Sequence, residues 1–210
     1  MKKYFILLSI LTVPFLGFSQ SRFFVNLNAG WDYSANKYYN YNNYDIFENE
    51  GNDLSWGLDL GYKFSDIVRF RIESRFGQYS FGQYYSGADL IQTEMTMSYF
   101  NINPRFDFRV WTKDKFELFV SPGLKLEYIY DSDQVTDKTD GTTSDLSYVS
   151  SAYADNMAGF IGGAIFKYNI NKHLGITLSP EYTLYFKKLY EKNDDNMRRF
   201  SARLGVEWNF

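Results

Sequence analysis

An all-β fold, an eight-stranded antiparallel up-and-down transmembrane β-barrel, is predicted by three properties of the sequence. Strand-length segments alternate apolar and polar residues, the connections between them alternate short and long, and beyond Phe18 no apolar run is long enough for a spanning helix. A fifth of the 210 residues is aromatic. A membrane-spanning chain without such helices must satisfy its backbone by closing a sheet on itself.

The C-terminal segment, Arg199 to Phe210, alternates without a miss. One parity carries Phe200, Ala202, Leu204, Val206, Trp208 and Phe210, and the other Arg199, Ser201, Arg203, Gly205, Glu207 and Asn209. Successive side chains of a strand face opposite ways, so the first set suits lipid and the second suits water or ion pairs. A closing strand that ends on Phe210 also implies the barrel-assembly machinery and outer-membrane lipid as partners.

The N-terminal residues point to export. Lys2 and Lys3 precede an apolar stretch from Tyr4 to Phe18, and Gly17 and Ser19 supply a small-residue cleavage site. Broken by Pro14, that stretch is shorter than the roughly 20 residues a spanning helix needs. Residues 1–19 are therefore expected to be a cleaved signal peptide and 20–210 the barrel domain. The remaining chain would hold 20 basic and 25 acidic residues, a formal charge of −5, which gives no electrostatic case for nucleic acid. Without cysteine there is no disulfide framework and no thiolate metal site.

Parity assigns eight strands. The first, Arg22 to Tyr33, sets Phe23, Val25, Leu27, Ala29, Trp31 and Tyr33 against Phe24, Asn26, Asn28, Gly30 and Asp32. The second, Leu54 to Phe64, sets Trp56, Leu58, Leu60 and Tyr62 against Asp59 and Lys63. In the third, Ile67 to Tyr79, Val68, Phe70, Ile72 and Phe76 oppose Arg69, Arg71, Glu73 and Arg75. Turning that other parity to lipid would expose three arginines, each costing roughly 2 to 4 kcal/mol near the bilayer midplane.

The fourth, Glu94 to Val110, places Asn101, Asn103, Arg105, Asp107 and Arg109 inward, with Pro104 calling for a bulge or a local gap because it cannot donate to the ladder. The fifth, Lys115 to Tyr130, places Glu117, Phe119, Lys125 and Glu127 inward. The sixth, Met157 to Ile170, is rich in glycine and alanine and apolar on both parities; Phe160, Phe166, Tyr168 and Ile170 are preferred outward. The seventh, Leu174 to Phe186, places Glu181 inward, and the eighth is the closing strand.

Hairpin-sized turns at Ser65–Asp66, Thr112–Asp114 and Asn171–His173 alternate with long connections at Ser34–Asp53, Ser80–Thr93, Asp131–Asn156 and Lys187–Asn196. That asymmetry puts both termini and the turns on the periplasmic side and the long loops outside. A soluble barrel with an apolar interior would show the same alternation. The leader, the loop asymmetry, Phe210 and the strand-end aromatics Trp31, Tyr33, Tyr62, Phe64, Tyr128, Tyr130 and Trp208 favour the membrane form.

The inward parity collects Lys63, Arg69, Arg71, Arg75, Arg105, Arg109, Lys125, Arg199 and Arg203, facing Asp32, Asp59, Glu73, Asp107, Glu117, Glu127, Glu181 and Glu207. Eight strands enclose only enough room for side chains or a small ligand, so these groups are expected to pair as a structural plug rather than line an ion path. No catalytic residue is expected. The one histidine, His173, falls in a periplasmic turn, and no serine sits in a nucleophile elbow. The acidic run Asp131, Asp133, Asp137, Asp140 and Asp145 lacks calcium-loop spacing, so neither a metal nor a cofactor is expected.

The leader ending Gly17-Phe18-Ser19-Gln20, the segment Tyr99-Phe100-Asn101-Ile102-Asn103-Pro104-Arg105 and the segment Ser121-Pro122-Gly123-Leu124 carry a resemblance. Over the whole mature length the chain resembles the small outer-membrane β-barrel domain proteins of gram-negative bacteria, a PorT-like and OmpA-like barrel group. The resemblance implies an outer-membrane location and diverse roles, and transfers no functional residue. Expected first is a non-enzymatic barrel acting as adhesin, receptor or envelope-structural component, its extracellular ligand unknown. The alternatives are a narrow, porin-like pore or small-solute transport barrel, an accessory component of a protein secretion system, and an envelope enzyme using a base other than His173.

Overall fold

A strand with one polar and one apolar face leaves both backbone edges unsatisfied until it is paired on each side. The structure, a computed structural model, describes residues 22–36, 49–85, 91–137, 143–146, 156–186 and 197–210. Among these the strands are β1 (Phe23–Asn36), β2 (Asn49–Lys63), β3 (Val68–Tyr85), β4 (Ile91–Lys113), β5 (Phe116–Val120), β6 (Gly123–Asp137), β7 (Thr143–Leu146), β8 (Asn156–Asn169), β9 (Leu174–Tyr185) and β10 (Arg198–Asn209). The expected leader, the tyrosine- and asparagine-rich segment 37–44 and residues 187–196 lie outside the described residues.

Every neighbouring pair is antiparallel, and the pairings run in a ring. β1 pairs with β2, β2 with β3, β3 with β4, β4 with β5 and β6, both of these with β8, β8 with β9, β9 with β10, and β10 returns to β1. The cylinder therefore has no open edge along its wall.

β5 and β6 are two halves of one spanning strand. Val120 faces Phe108 and Ala164 while Gly123 faces Arg105 and Ile161, so the register is the same on both sides of the break. Pro122 has no N–H to give, but its carbonyl accepts from Phe106 at 3.1 Å, and the Ser121 amide donates to Gly163 at 2.9 Å. Eight spanning strands result, with β7 a short addition that pairs only with the distal part of β6.

Pro104 keeps its place opposite Ile72 of β3, and on its other side the β4–β6 ladder skips from Ile102–Leu126 to Arg105–Gly123. The expected irregularity is thus a gap, while the register shifts of β4 fall at Ser98/Tyr99 and Arg109/Trp111. The long connections are shorter than the sequence suggested. β3 and β4 continue to Tyr85 and Ile91, and β6 continues to Asp137 before β7. Above a bilayer the ladder can run on without apolar–polar alternation, so parity ends before the strand does.

At the opposite rim the turns are tight for local reasons. The Ser65 hydroxyl accepts from the amides of Ile67 and Val68 at 3.2 and 3.1 Å, and Asn171 Oδ1 accepts from those of His173 and Leu174, both at 2.8 Å. Asp114 takes a left-handed backbone conformation, φ 52°, between β4 and β5. The turn there is Asp114–Lys115, one residue beyond the expected Thr112–Asp114, because β4 runs to Lys113.

The outer wall is apolar on the spanning strands: Leu27, Leu58, Leu60, Ile72, Ile102, Leu126, Phe166, Leu178 and Leu204 are exposed. Aromatic pairs gird both rims. Phe23–Tyr62, Tyr62–Phe64 and Phe116–Tyr168 lie near the turns, and Trp31–Tyr33 and Trp31–Phe200 toward the loops. Phe160, Phe166 and Tyr168 of β8 and Ile170 just beyond it do face outward, with Met157, Ile161, Ile165 and Lys167 buried inside. Several glycines stand at close approaches, and Gly61 shows why on the inner face. A Cβ on Gly61 would meet the ring of Phe24, which turns into the bore beside it.

Leu204 stands 63% exposed midway along β10. Leu204→Arg is expected to lower unfolding stability in lipid vesicles by about 2 to 4 kcal/mol if the site lies at the bilayer midplane. A urea titration followed by the band that shifts on boiling measures it, and an unchanged midpoint would contradict a lipid-facing wall.

Candidate functional site

The polar parity of all eight spanning strands converges on the bore, and the charges there are buried. Glu73 and Arg105 are both 0% exposed. Their alternation with outward leucines, isoleucines and phenylalanines leaves the backbone no choice of face.

At mid-height two carboxylates organise the bore. Arg75 grips Glu181 through both terminal nitrogens, at 2.7 and 2.9 Å, and reaches Glu73 at 2.7 Å. Arg105 bridges the same two, at 2.5 Å from Glu181 and 3.1 Å from Glu73, and donates to the Ser121 carbonyl at 2.6 Å. Arg203 touches Glu181 at 3.4 Å and turns to Asp32 at 2.8 Å and the Ser55 hydroxyl at 2.8 Å. Arg75 and Arg105 thereby tie β3 and β4 to β9 across the lumen, and Arg203 joins β9, β10, β1 and β2.

Toward the turns, Arg71 lies between Glu73, Asp59 and Asp107 at 2.7, 3.1 and 3.2 Å. Asp59 also accepts from Asn26 and Asn28, each at 2.9 Å, and Asp107 accepts from the Ser121 hydroxyl. Arg69 binds Asp107 at 2.7 Å and Glu207 at 2.9 Å, its guanidinium 4.7 and 3.9 Å from the ring centres of Phe24 and Phe119. Lys167 completes this level at 2.5 Å from Glu207 and 3.7 Å from Glu117. Arg109 pairs with Glu117 at 3.1 Å on the half-exposed rim, and Lys63 donates to Asn209.

Toward the loops Glu127 takes over as the anionic centre. Arg199 and Lys125 lie 3.3 and 3.4 Å from it, and the hydroxyls of Tyr79 and Tyr185 also donate to it. Arg199 stands over the rings of Tyr79 and Tyr99, 4.0 and 4.6 Å from their centres. Tyr99 in turn donates to Asp32 at 2.9 Å, which links this level to the middle one.

The residues collected from the sequence therefore meet in one connected network: Arg69, Arg71, Glu73, Arg75, Arg105, Asp107, Lys125, Glu127, Glu181, Arg199, Arg203 and Glu207 buried, Arg109 and Glu117 at its partly exposed end. Missed were Lys167 and the tyrosines. Lys167 shares parity with Ile161 and Ile165, a mostly apolar inner face that gave no sign of charge. Tyr79, Tyr99 and Tyr185 stand in the inward parity of their strands, the same signal that collected the charges. His173 is part of its turn: its ring stacks on Trp208, centres 6.0 Å apart, and Nδ1 lies 2.9 Å from the Asn209 carbonyl.

Comparison with known proteins decides the family. A model of the outer membrane protein beta-barrel domain matches residues 5–210. The chain belongs to that family. The outer membrane protein beta-barrel domain family implies an outer-membrane location. In barrels of that membrane the rim of long connections is the extracellular one and the rim of short turns the periplasmic one. Among solved structures, Neisserial surface protein A is 15% identical with a TM-score of 0.53 and covers 90% of this chain and 98% of its own. Ail, the attachment invasion locus protein of Yersinia pestis, is 17% identical at 0.42, covering 89% and 98%. The outer membrane protease OmpT of Escherichia coli is 11% identical at 0.45, covering 93% and 99%. Likeness at this level shows the shared barrel alone. No curated protein sequence matches the chain.

Glu181 faces three arginines, so Glu181→Gln is expected to cost about 3 to 5 kcal/mol of unfolding stability. Glu117→Gln, at the wetter rim, is expected to cost about 1 kcal/mol or less. Equal losses in parallel urea titrations would contradict the central place of Glu181.

Proposed function

We propose that this protein is a non-catalytic, non-conducting outer-membrane barrel that presents its extracellular strand ends and loops to the surroundings, as an adhesin, receptor or envelope-structural component. The observation that carries this reading is the continuous ion-pair network, which joins opposite walls at the levels of Glu207, Glu73 with Glu181, and Glu127. An ion crossing the bore would have to displace guanidinium groups from buried carboxylates, at several kcal/mol for each pair broken.

The extended hairpin of β3 and β4, with β6 and β7 beside it, supports a contact role, since it lifts backbone ladder well beyond the apolar wall. A non-enzymatic role is favoured by His173, which is held in a periplasmic turn away from the extracellular rim. Cleavage of residues 1–19, insertion by the barrel-assembly machinery through the strand ending at Phe210, and contact with outer-membrane lipid complete the proposal.

In planar bilayers the purified protein is expected to give no discrete channel openings. Arg71→Leu is expected to lower unfolding stability while leaving that silence unchanged. Reproducible openings of the unaltered protein, or a current gained or lost in the variant, would overturn the plug and favour the narrow pore.

A further inference from the structure

The bore changes chemistry at its extracellular mouth. Tyr79, Met97, Tyr99, Met157, Tyr185 and Met197 form one buried cluster there, with Ile129 packed against it. Its three methionines come from separated parts of the wall. Met97 stands on β4 opposite Tyr79, Met157 on β8 opposite Glu127, and Met197 just before β10, where its carbonyl accepts from the Tyr185 amide at 3.2 Å. They are 1, 2 and 0% exposed.

The placement is selective. The chain has five methionines, and apart from Met1 all lie at this end, Met95 being two residues farther out along β4. Elsewhere among the described residues the buried apolar residues of the bore are Phe24, Phe119, Ile161 and Ile165, so shape-filling alone has been met with other residue types. The tyrosine hydroxyls already serve Glu127 and Asp32. No hydrogen bond among the described residues reaches the three sulfurs. Thioethers are soft, neutral donors that favour soft d¹⁰ ions such as copper(I) and discriminate against ions that prefer oxygen or nitrogen. The neighbouring Arg199 and Lys125 add a second filter, because their positive charge opposes a divalent ion more strongly than a monovalent one.

We propose that Met97, Met157 and Met197 form a three-thioether site at the extracellular mouth that binds a soft monovalent metal ion of the copper(I) and silver(I) class. Carboxylate and thiolate spacing in the sequence points to no metal, and methionines drawn into one buried cluster from β4, β8 and the residue before β10 leave no spacing to read. The site is independent of whether the bore below conducts.

Silver(I) is the probe, since it needs no reductant. The chain has no cysteine, and its one histidine is at the opposite rim, so few other soft or nitrogen donors compete. The detergent-purified full-length protein, incubated with silver nitrate in chloride-free buffer and passed over a gel-filtration column, is expected to retain roughly one silver per chain in an all-sulfur first shell by X-ray absorption. Met97→Leu, Met157→Leu and Met197→Leu together, a volume-conserving change, are expected to abolish retention while the boiling-dependent mobility shift persists. Met95→Leu is expected to retain the metal. The proposal is overturned if the unaltered protein retains no silver, if its first shell holds nitrogen or oxygen alone, or if the triple variant binds as before. Should the triple variant fail to fold, undiminished silver in each of the three single variants overturns it equally.

Discussion

The bore of an eight-stranded barrel is too narrow for bulk water and too polar to be left empty, and the rest of the structure depends on how that conflict is met. Each inward charge loses its hydration on folding and must recover it from another side chain. The solution is sharing: Glu181 serves Arg75, Arg105 and Arg203, while Arg71 serves Glu73, Asp59 and Asp107. A group with three partners stays compensated when one of them fluctuates, which isolated pairs would not achieve. Such sharing also makes losses non-additive, because removing one carboxylate leaves several guanidinium groups short at once.

The network fixes more than the interior. A one-residue slip of any spanning strand would send its charges into lipid and its leucines into the bore, so the two faces enforce the same register from opposite sides. Arg69, Arg71 and Arg75 on β3 pair with residues of β2, β4, β9 and β10, which makes β3 the strand whose register the others must match. That constraint lets the wall tolerate Pro104 and Pro122. Each removes a ladder donor, yet beside them Arg105 is held by Glu181 across the lumen and Ser121 by Asp107 of the adjacent strand.

How much was legible in the sequence follows from the same two-solvent argument. Where lipid and bore differ sharply, as on β3 and β10, parity gave facing, register and inward charges together. On β8 glycine, alanine and isoleucine occupy both faces, so the direction of Phe160 and Phe166 came only from their bulk and Lys167 escaped notice. Beyond the bilayer both faces of a strand meet water, alternation loses its cause, and the upper reaches of β3, β4 and β6 read as loop although the ladder continues. Which carboxylate meets which guanidinium could not be read at all, since partners such as Arg203 and Asp32 are set by barrel closure rather than by distance along the chain.

Closure also explains why the bore is not uniform along its axis. Near the turns and at mid-height, cations and carboxylates alternate and compensate each other. At the extracellular mouth Arg199 and Lys125 share Glu127, and the excess of positive charge is met by the faces of tyrosine rings. An aromatic face attracts a cation without adding a charge of its own, so among the described residues this level of the bore is a neutral, polarizable layer around two cations rather than a layer of ion pairs alone. Screening therefore weakens this end less than it would an exposed salt bridge.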